Sequence, residues 1–227
     1  MPRVKKEVND TPSKRKSKKQ EFHNEMYGKM FPVNKDAKQF EVDNLIYQPI
    51  DDKTCKVIGY KTKSKIKLKL VIPDTVKKYK VVSIGFHAFP EFEKLKEVVL
   101  PNGLIEICPR AFSWCEQLSK INIPSTLKYI GYWAFENCYR LFHSETIFDM
   151  PDSLEVIGMS AFDECHDIKK IIIGRNLKYI GNGGFSGNDN LEFVSFERNR
   201  TVRFGKGVFY NCNLLKTTSK IHDMSTI

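Results

Sequence analysis

The sequence has no long hydrophobic run. No segment approaches the about 18 consecutive apolar residues that a transmembrane helix needs, so we expect no membrane-spanning helix. The first residues are charged and polar, without the apolar core that a secretory signal peptide requires. These two absences favour a cytoplasmic or nuclear location for the chain.

The sequence also has few of the residue patterns that accompany catalysis or metal binding. The cysteines form no C-x-x-C pair, the histidines show no metal-site spacing, and the Gly-rich segment 181–184 lacks the Lys-Ser/Thr ending of a phosphate loop. Cys165 and His166 are neighbours, but the partners of a catalytic Cys–His pair are usually brought together by the fold. We therefore expect no catalytic residue, no metal, no cofactor and no enzymatic activity.

Acidic residues are scarce at the N-terminus, and this makes the charge distribution uneven. The net charge is +10, and residues 1–20 contain eight Lys and Arg against two acidic residues. Such a polar segment cannot bury enough apolar surface to fold, so residues 1–38 are predicted to be a basic disordered tail. Its compact basic run consists of Lys14, Arg15, Lys16, Lys18 and Lys19. This run is either a nuclear localisation or nucleic-acid-binding patch, or part of a solvated tail that aids solubility.

What the sequence does contain is an internal repeat, marked by an Ala-Phe pair. The phenylalanines of the six copies are separated by 23, 23, 27, 23 and 24 residues. Alanine is replaced by Gly184 in the fifth copy and by Val208 in the sixth. The phenylalanines are Phe89, Phe112, Phe135, Phe162, Phe185 and Phe209. Self-similarity at a fixed period of this length is the sequence signature of a repeat architecture.

Further columns keep the same period. An isoleucine lies four residues before the small residue of each copy, except at Phe204, and glycine follows it in five of the six copies. From the second copy onward, the position three residues after the phenylalanine is Cys115, Cys138, Cys165, Asn188 or Cys212. Because Asn and Cys alternate in one column, we predict a buried residue that hydrogen-bonds to backbone, and not a metal ligand or a reactive thiol.

The residue pattern of each repeat predicts two short extended segments and one turn. The alternation L-x-x-I-x-I indicates a half-buried strand, which proline often ends, as at Pro124. A second extended piece precedes the column glycine, which we interpret as the residue of a tight turn. The Ala-Phe segment is predicted to pack inward as one helical or 3₁₀ turn, with its phenylalanines in an internal ladder. Stacked copies form a β-rich α/β solenoid of about 23-residue coils with short parallel strands.

The pattern L-x-x-I-x-I-P-x-x-L-x-x-I-G-x-x-A-F-x-x-C resembles the BspA-like class of leucine-rich repeats, from about Phe40 to Ile221. The resemblance implies a leucine-rich-repeat solenoid that has no enzymatic activity. It also implies adhesion or protein binding, often at the surface of bacteria and some protists, so a cell-surface location is possible here. Residues 39–80 are then an N-terminal strand and capping segment with a first partial repeat, 81–221 are the repeats, and 222–227 are a C-terminal tail.

We expect a protein partner to bind along one face of the strands, because solenoids present extended concave surfaces. Residues that flank the central apolar position of L-x-x-I-x-I point away from the core. Repeat by repeat they are Lys69 and Val71, Glu97 and Val99, Lys120 and Asn122, Ile147 and Asp149, Lys170 and Ile172, and Phe193 and Ser195. Several of them are apolar, which favours a docking face. The alternative interpretation is that valine and isoleucine simply suit a β-ribbon.

Lysines alternate along the segment from Lys61 to Lys69, with apolar residues between the later ones. This period predicts one strand with a lysine face and an apolar face. The lysines either protect a sheet edge from aggregation, which is the simpler explanation, or bind phosphate or acidic partners.

Two functions remain open at the level of sequence. The first is a non-enzymatic protein-binding or adhesion-type module that uses the concave β face. The alternative is an intracellular or nuclear scaffold whose basic N-terminal tail binds nucleic acid or an import receptor.

Overall fold

The computed structural model describes residues 37–143, 147–196 and 201–216. The described chain begins with three antiparallel strands, β1 (Phe40–Val42), β2 (Leu45–Pro49) and β3 (Thr54–Tyr60). Asn44 anchors the end of β3, because its side-chain amide donates to Thr62 O and its Oδ1 accepts from the Thr62 N–H. These strands form the N-terminal edge of the sheet described next.

A long parallel sheet continues from β3 along one side of the solenoid. The second extended segment of each repeat contributes one strand, so each coil adds one strand to the sheet. These strands are β6 (Tyr79–Ile84), β8 (Glu106–Ile107), β10 (Tyr129–Ile130), β12 (Val156–Ile157), β14 (Tyr179–Ile180) and β16 (Arg203–Phe204). The short strand β5 (Thr75–Val76) pairs antiparallel with β6. The isoleucine column lies on this sheet, and its described members from Ile84 to Ile180 are completely buried.

The L-x-x-I-x-I segments form two shorter parallel sheets. The first short sheet contains β4 (Lys69–Val71), β7 (Glu97–Val99) and β9 (Lys120–Ile121), and the second contains β11 (Phe148–Asp149), β13 (Lys170–Ile172) and β15 (Phe193–Ser195). The two are separate because four extra residues precede β11, so β9 and β11 do not pair. The long sheet is uninterrupted at the same coils, where β10 pairs with β12.

The phenylalanines of the repeat stack as a ladder inside the solenoid, as the sequence predicts. Consecutive rings from Phe89 to Phe209 have centroid distances of 5.6, 5.5, 5.3, 5.0 and 6.0 Å and interplanar angles of 3–17°. The five rings from Phe89 to Phe185 are completely buried. Tyr60 extends the ladder at its N-terminal end, 6.3 Å from Phe89. Each coil is too poor in apolar residues to form a core alone, and the ladder supplies a shared one.

Two left-handed residues flank the small-residue–Phe pair of every coil. One precedes the small residue and the other lies two positions after the phenylalanine, and their φ angles are 49–69°. They are His87 and Glu91, Arg110 and Trp114, Trp133 and Asn137, Ser160 and Glu164, Gly183 and Gly187, and Gly207 and Asn211. Nine of these twelve residues are not glycine, although glycine adopts this conformation at the lowest cost.

This backbone makes the Ala-Phe segment a series of turns, where the sequence predicted one helical or 3₁₀ turn. In the second coil, the N–H groups of Arg110, Phe112 and Trp114 donate to carbonyls of the next coil at 2.8–3.1 Å. The intervening N–H groups of Ala111 and Ser113 donate within their own coil. A helix would use its amides internally, so alternate amides are directed to the neighbouring coil only by leaving the helical conformation.

The glycines that follow the isoleucine column were predicted to permit a tight turn, but the structure shows a different reason for them. Gly131 and Gly181 are not among the glycines with positive φ, so they are not needed for a left-handed turn. A Cβ on Gly131 would lie 2.4 Å from the Pro109 backbone nitrogen, and one on Gly181 would lie 2.4 Å from that of Met159. Glycine is required here because the backbones of successive coils approach too closely for a side chain.

The cysteine column forms a ladder of hydrogen bonds, as predicted. Each member donates to the backbone oxygen of the phenylalanine one coil earlier, at 2.8–3.2 Å: Cys115 to Phe89, Cys138 to Phe112, Cys165 to Phe135, Asn188 to Phe162 and Cys212 to Phe185. Burial raises the pKa of Cys115 to about 12 and raises the pKa values of Cys138 and Cys165 well above the usual range. These thiols are protonated at neutral pH, so they are poor nucleophiles.

Replacing Phe135 with Ala is expected to lower the free energy of unfolding by about 3–5 kcal/mol, because it removes ring contacts on both sides and leaves a cavity. Chemical denaturation of the variant and the parent measures this difference. Phe86→Ala is the matched control, since the Phe86 side chain is 62% exposed and its loss should be almost neutral. Equal losses of stability in the two variants would contradict the ladder as the source of the core.

Candidate binding surfaces

The strand stripe, defined as the twelve predicted outward residues of the two short sheets, is mostly exposed. Glu97, Val99 and Ile172 are half-buried. Ser195 is buried although it was predicted to face outward: its short side chain lies in register with the larger Ile172 of the neighbouring strand. The exposed members are Lys69, Val71, Lys120, Asn122, Ile147, Asp149, Lys170 and Phe193.

The first short sheet carries the charged half of the stripe. The Glu97 carboxylate lies between Lys69 and Lys120, with Nζ–Oε1 distances of 3.0 and 4.0 Å. The hydrogen bond from Lys69 lowers the pKa of Glu97 below its ordinary value. Asn122 has a structural role, because its Oδ1 accepts from the Leu100 N–H at 2.7 Å and its Nδ2 donates to Leu100 O at 3.0 Å. Its amide therefore extends the pairing of β7 and β9 and is already occupied.

The second short sheet carries the apolar half of the stripe. Ile147 and Phe193 are each 43% exposed, and Lys170 lies in register with Phe193 on the adjacent strand. The alternate residues Phe148, Ile171 and Val194 point inward and are buried. The charged half thus carries the Lys69–Glu97–Lys120 group, and the apolar half carries the large residues Ile147 and Phe193 beside the exposed Asp149 and Lys170, a difference that repeat columns alone do not show.

The lysine segment differs from its prediction of one continuous strand. β3 ends at Tyr60, a 3₁₀ turn covers Lys63–Lys65, and β4 begins only at Lys69. Lys61 pairs with Glu41 at 3.0 Å, and Lys63 Nζ donates to Glu91 O at 2.6 Å. The segment therefore crosses from the long sheet to the first short sheet as a lysine-rich loop, and β4 is the edge strand at which it ends.

An aromatic cluster on the turns was not predicted from the sequence. The Arg110 guanidinium lies over the Trp133 ring, 4.4 Å from its centroid, and Tyr132 packs edge-on against Trp133 at 4.9 Å. Trp114 is 42% exposed. The sequence signal that could have identified this cluster is the occurrence of aromatic residues at repeat positions that are not predicted to face the core.

Cys165 and His166 do not form a catalytic pair. The Cys165 thiol is completely buried and donates inward to Phe135 O. His166 is turned toward acidic groups, with its Nε2 3.2 Å from Glu164 Oε2, and its ring stacks on Tyr139. In the described part of the chain, no three His, Cys, Asp or Glu side chains are placed to hold a metal ion. No helix there is long and apolar enough to cross a membrane.

A buried polar cluster lies between β6 and β8 of the long sheet. Ser83 Oγ donates to Glu106 Oε2 at 3.0 Å and lies 3.5 Å from Cys108 Sγ. Burial raises the pKa of Glu106, while the Ser83 hydrogen bond partly opposes that shift. Burial and the nearby Glu106 carboxylate raise the pKa of Cys108 to about 12. Ser83 and Glu106 are at most 3% exposed, whereas Cys108 is half-buried.

The raised pKa of Glu106 makes stability depend on pH. Because the folded pKa lies above the unfolded value of about 4.3, the stabilisation is complete below that value and is lost as pH rises through the folded pKa. Glu106→Gln keeps an acceptor for Ser83 without a charge, so its stability relative to the parent should increase between about pH 4 and pH 8. Urea unfolding at both pH values measures this. Glu93→Gln, at an exposed site, is the control, and an identical pH response of the two variants would contradict a buried charge.

The basic tail run from Lys14 to Lys19 lies outside the described residues, as do residues 217–227 with the end of the last predicted repeat. The predicted functions of the tail therefore stay predictions, and so do the domain boundaries that depend on these segments.

Comparison with known proteins identifies the repeat. The family model of the BspA type leucine rich repeat region matches residues 60–148 and 143–227, with six copies. A leucine-rich repeat protein from Bacteroides ovatus is 34% identical, with a TM-score of 0.68 over 78% of this chain and 46% of its own. This chain thus spans about half the length of that protein. None of the curated proteins matches this chain.

Two further solved structures support the fold alone. A T. pallidum leucine-rich repeat protein is 24% identical, with a TM-score of 0.63 over 83% of this chain and 96% of its own. A leucine rich cell surface protein from Faecalibacterium prausnitzii is 19% identical, with a TM-score of 0.56 over 79% of this chain and 54% of its own. These comparisons give no support to the cytoplasmic or nuclear location favoured by the sequence. They and the repeat columns confirm the predicted solenoid, and the chain belongs to the BspA-type leucine-rich repeat family.

Proposed function

We propose that this chain is a non-enzymatic protein-binding module that uses the strand stripe. The observation that carries the proposal is the apolar half of the stripe, where Ile147 and Phe193 are each 43% exposed on either side of the strand that carries Lys170 and the half-buried Ile172. Large exposed apolar side chains on one face of a sheet are typical of interaction surfaces. An aromatic anchor such as Phe193 is the kind of residue that contributes most to binding energy.

An adhesion-type role at a cell surface is the form of this function that the comparisons favour. One structural neighbour is described as a leucine rich cell surface protein. The solenoid also provides rows of regularly spaced side chains, which suits recognition of an extended macromolecular surface.

Phe193→Asp is expected to weaken binding to protein partners by about tenfold or more, because it places a charge at the centre of an apolar contact. Quantitative affinity capture followed by mass spectrometry compares the proteins retained by the parent and the variant. The side chain is exposed, so the variant should fold, which a thermal melt verifies.

Tyr210→Asp is the matched control, because Tyr210 is an aromatic residue outside the stripe and is 67% exposed. The proposal requires that this control retain the partners that Phe193→Asp loses. Retention of every partner by both variants would show that the stripe is not the binding surface.

The basic tail supports a second candidate function, in which the chain is a scaffold that contacts nucleic acid or an import receptor. The observation in its favour is the run of five basic residues between Lys14 and Lys19. If the tail binds nucleic acid, removal of residues 1–20 should abolish an affinity that falls steeply with salt in the full chain. Fluorescence anisotropy with a labelled oligonucleotide tests this, and equal affinities of the two chains would exclude the tail as the binding element.

A further inference from the structure

The outer edge of β4 is open. β4 is the terminal strand of the first short sheet, and no strand of the described residues pairs with its other side. Leu68 O accepts from the Lys96 and Glu97 N–H groups, and the Ile72 N–H donates to Val99 O, so these residues direct their backbone groups toward β7. In a parallel ladder alternate residues face opposite sides, so Lys69 and Val71 direct their N–H and C=O groups outward.

An apolar pocket lies where the chain enters β4 and β7, and Leu68, the residue before β4, is part of its lining. Its volume is about 700 Å³, and its apolar lining consists of Ile66, Leu68 and Phe92. Leu68, the residue before β4, is 53% exposed, so the pocket has an apolar wall that is open to solvent. A pocket of this size accommodates at least one large apolar side chain.

The charge around the edge and the pocket is predominantly positive. Residues 61–70 contain five lysines and no acidic residue, and Lys94 contributes a further positive charge to the pocket rim. Two glutamates, Glu91 and Glu93, also line the pocket, and Lys61 and Lys69 are paired with Glu41 and Glu97. The excess positive charge is therefore carried by Lys63, Lys65, Lys67 and Lys94. A second copy of this chain would bring the same lysines against this edge, and like charges at a strand pair are unfavourable.

We propose that the β4 edge binds an extended acidic peptide segment of a partner protein, which adds as a further strand and places a bulky apolar side chain in the pocket. Backbone hydrogen bonds to Lys69 and Val71 supply the strand pairing, and the lysines select the acidic side chains. The inference deepens the proposed function and rests on it, because Lys69 and Val71 are the first residues of the strand stripe.

The test is fluorescence anisotropy with the full chain and a labelled peptide in which Glu alternates with Val around a central Phe. Binding should weaken as salt is raised, because it depends on exposed charges. A peptide with Lys in place of Glu should bind at least about tenfold more weakly. Two further peptides carry N-methyl groups on the backbone nitrogens of either their odd-numbered or their even-numbered residues. The peptide whose methylated nitrogens face β4 should not bind, because those nitrogens can no longer donate hydrogen bonds.

Three variants separate strand pairing from charge and from the pocket. Val71→Pro removes an outward N–H without breaking a bond to β7, and should reduce affinity about tenfold, whereas Val71→Ala keeps the N–H and should bind nearly as the parent does. Lys65→Glu with Lys67→Glu should reduce affinity for the acidic peptide and increase it for the lysine peptide. Leu68→Asp should reduce affinity for both. All these side chains are exposed, and circular dichroism verifies folding.

The proposal is overturned if the parent does not bind the acidic peptide, if it binds the lysine peptide equally well, or if Val71→Pro and backbone methylation have no effect. It is also overturned if sedimentation shows a dimer of the parent that Val71→Pro dissociates, because the occupant would then be a second copy. If the acidic peptide does not bind but Phe193→Asp still loses protein partners, this inference is rejected and the proposed function is retained.

Discussion

Successive coils of this chain are joined by backbone hydrogen bonds in the long sheet, in the short sheets and at the Ala-Phe turns. These bonds bring the backbones of successive coils close together, and this close approach is the constraint on which the other features depend. It excludes a side chain at Gly131 and Gly181, and it directs alternate turn amides outward, which places residues such as Arg110 and Trp114 in the left-handed region. The bonds between coils offset the cost of that backbone, which glycine alone would adopt readily.

The parts of the fold that could be predicted are those that recur in every coil. Phe135 recurs in every coil because its ring stacks on its equivalents one coil away, and the Cys138 position recurs as Cys or Asn because each member donates to the same backbone oxygen one coil earlier. The left-handed positions recur as well, but Arg, Trp, Ser, Glu, Asn and Gly all occupy them. The backbone at those positions is imposed by hydrogen bonds between coils and not by local preference, so it leaves no residue signature.

The binding surface was less predictable, because it lies on residues that differ between coils. Periodicity identified which residues of the stripe face outward, and Ser195 is the exception because outward direction does not guarantee exposure for a short side chain. The division into a charged half around Glu97 and an apolar half around Phe193 depends on an insertion whose effect on strand pairing is set in three dimensions. The Ser83–Glu106 pair was missed because its column, the position before the isoleucine of each coil, has no common residue type, although the two residues are one repeat apart and paired in register.

The gap between β9 and β11 has a mechanical consequence. At this point the long sheet and the phenylalanine ladder are continuous, whereas the opposite side has no strand pairing to resist separation. A bending force that opens that side breaks no bond between strands there, but a force of the opposite sense must compress packed side chains. Interiors packed like crystals resist compression strongly. Among the described coils, we therefore expect the junction of the third and fourth to bend more readily in the sense that opens this side than in the opposite sense.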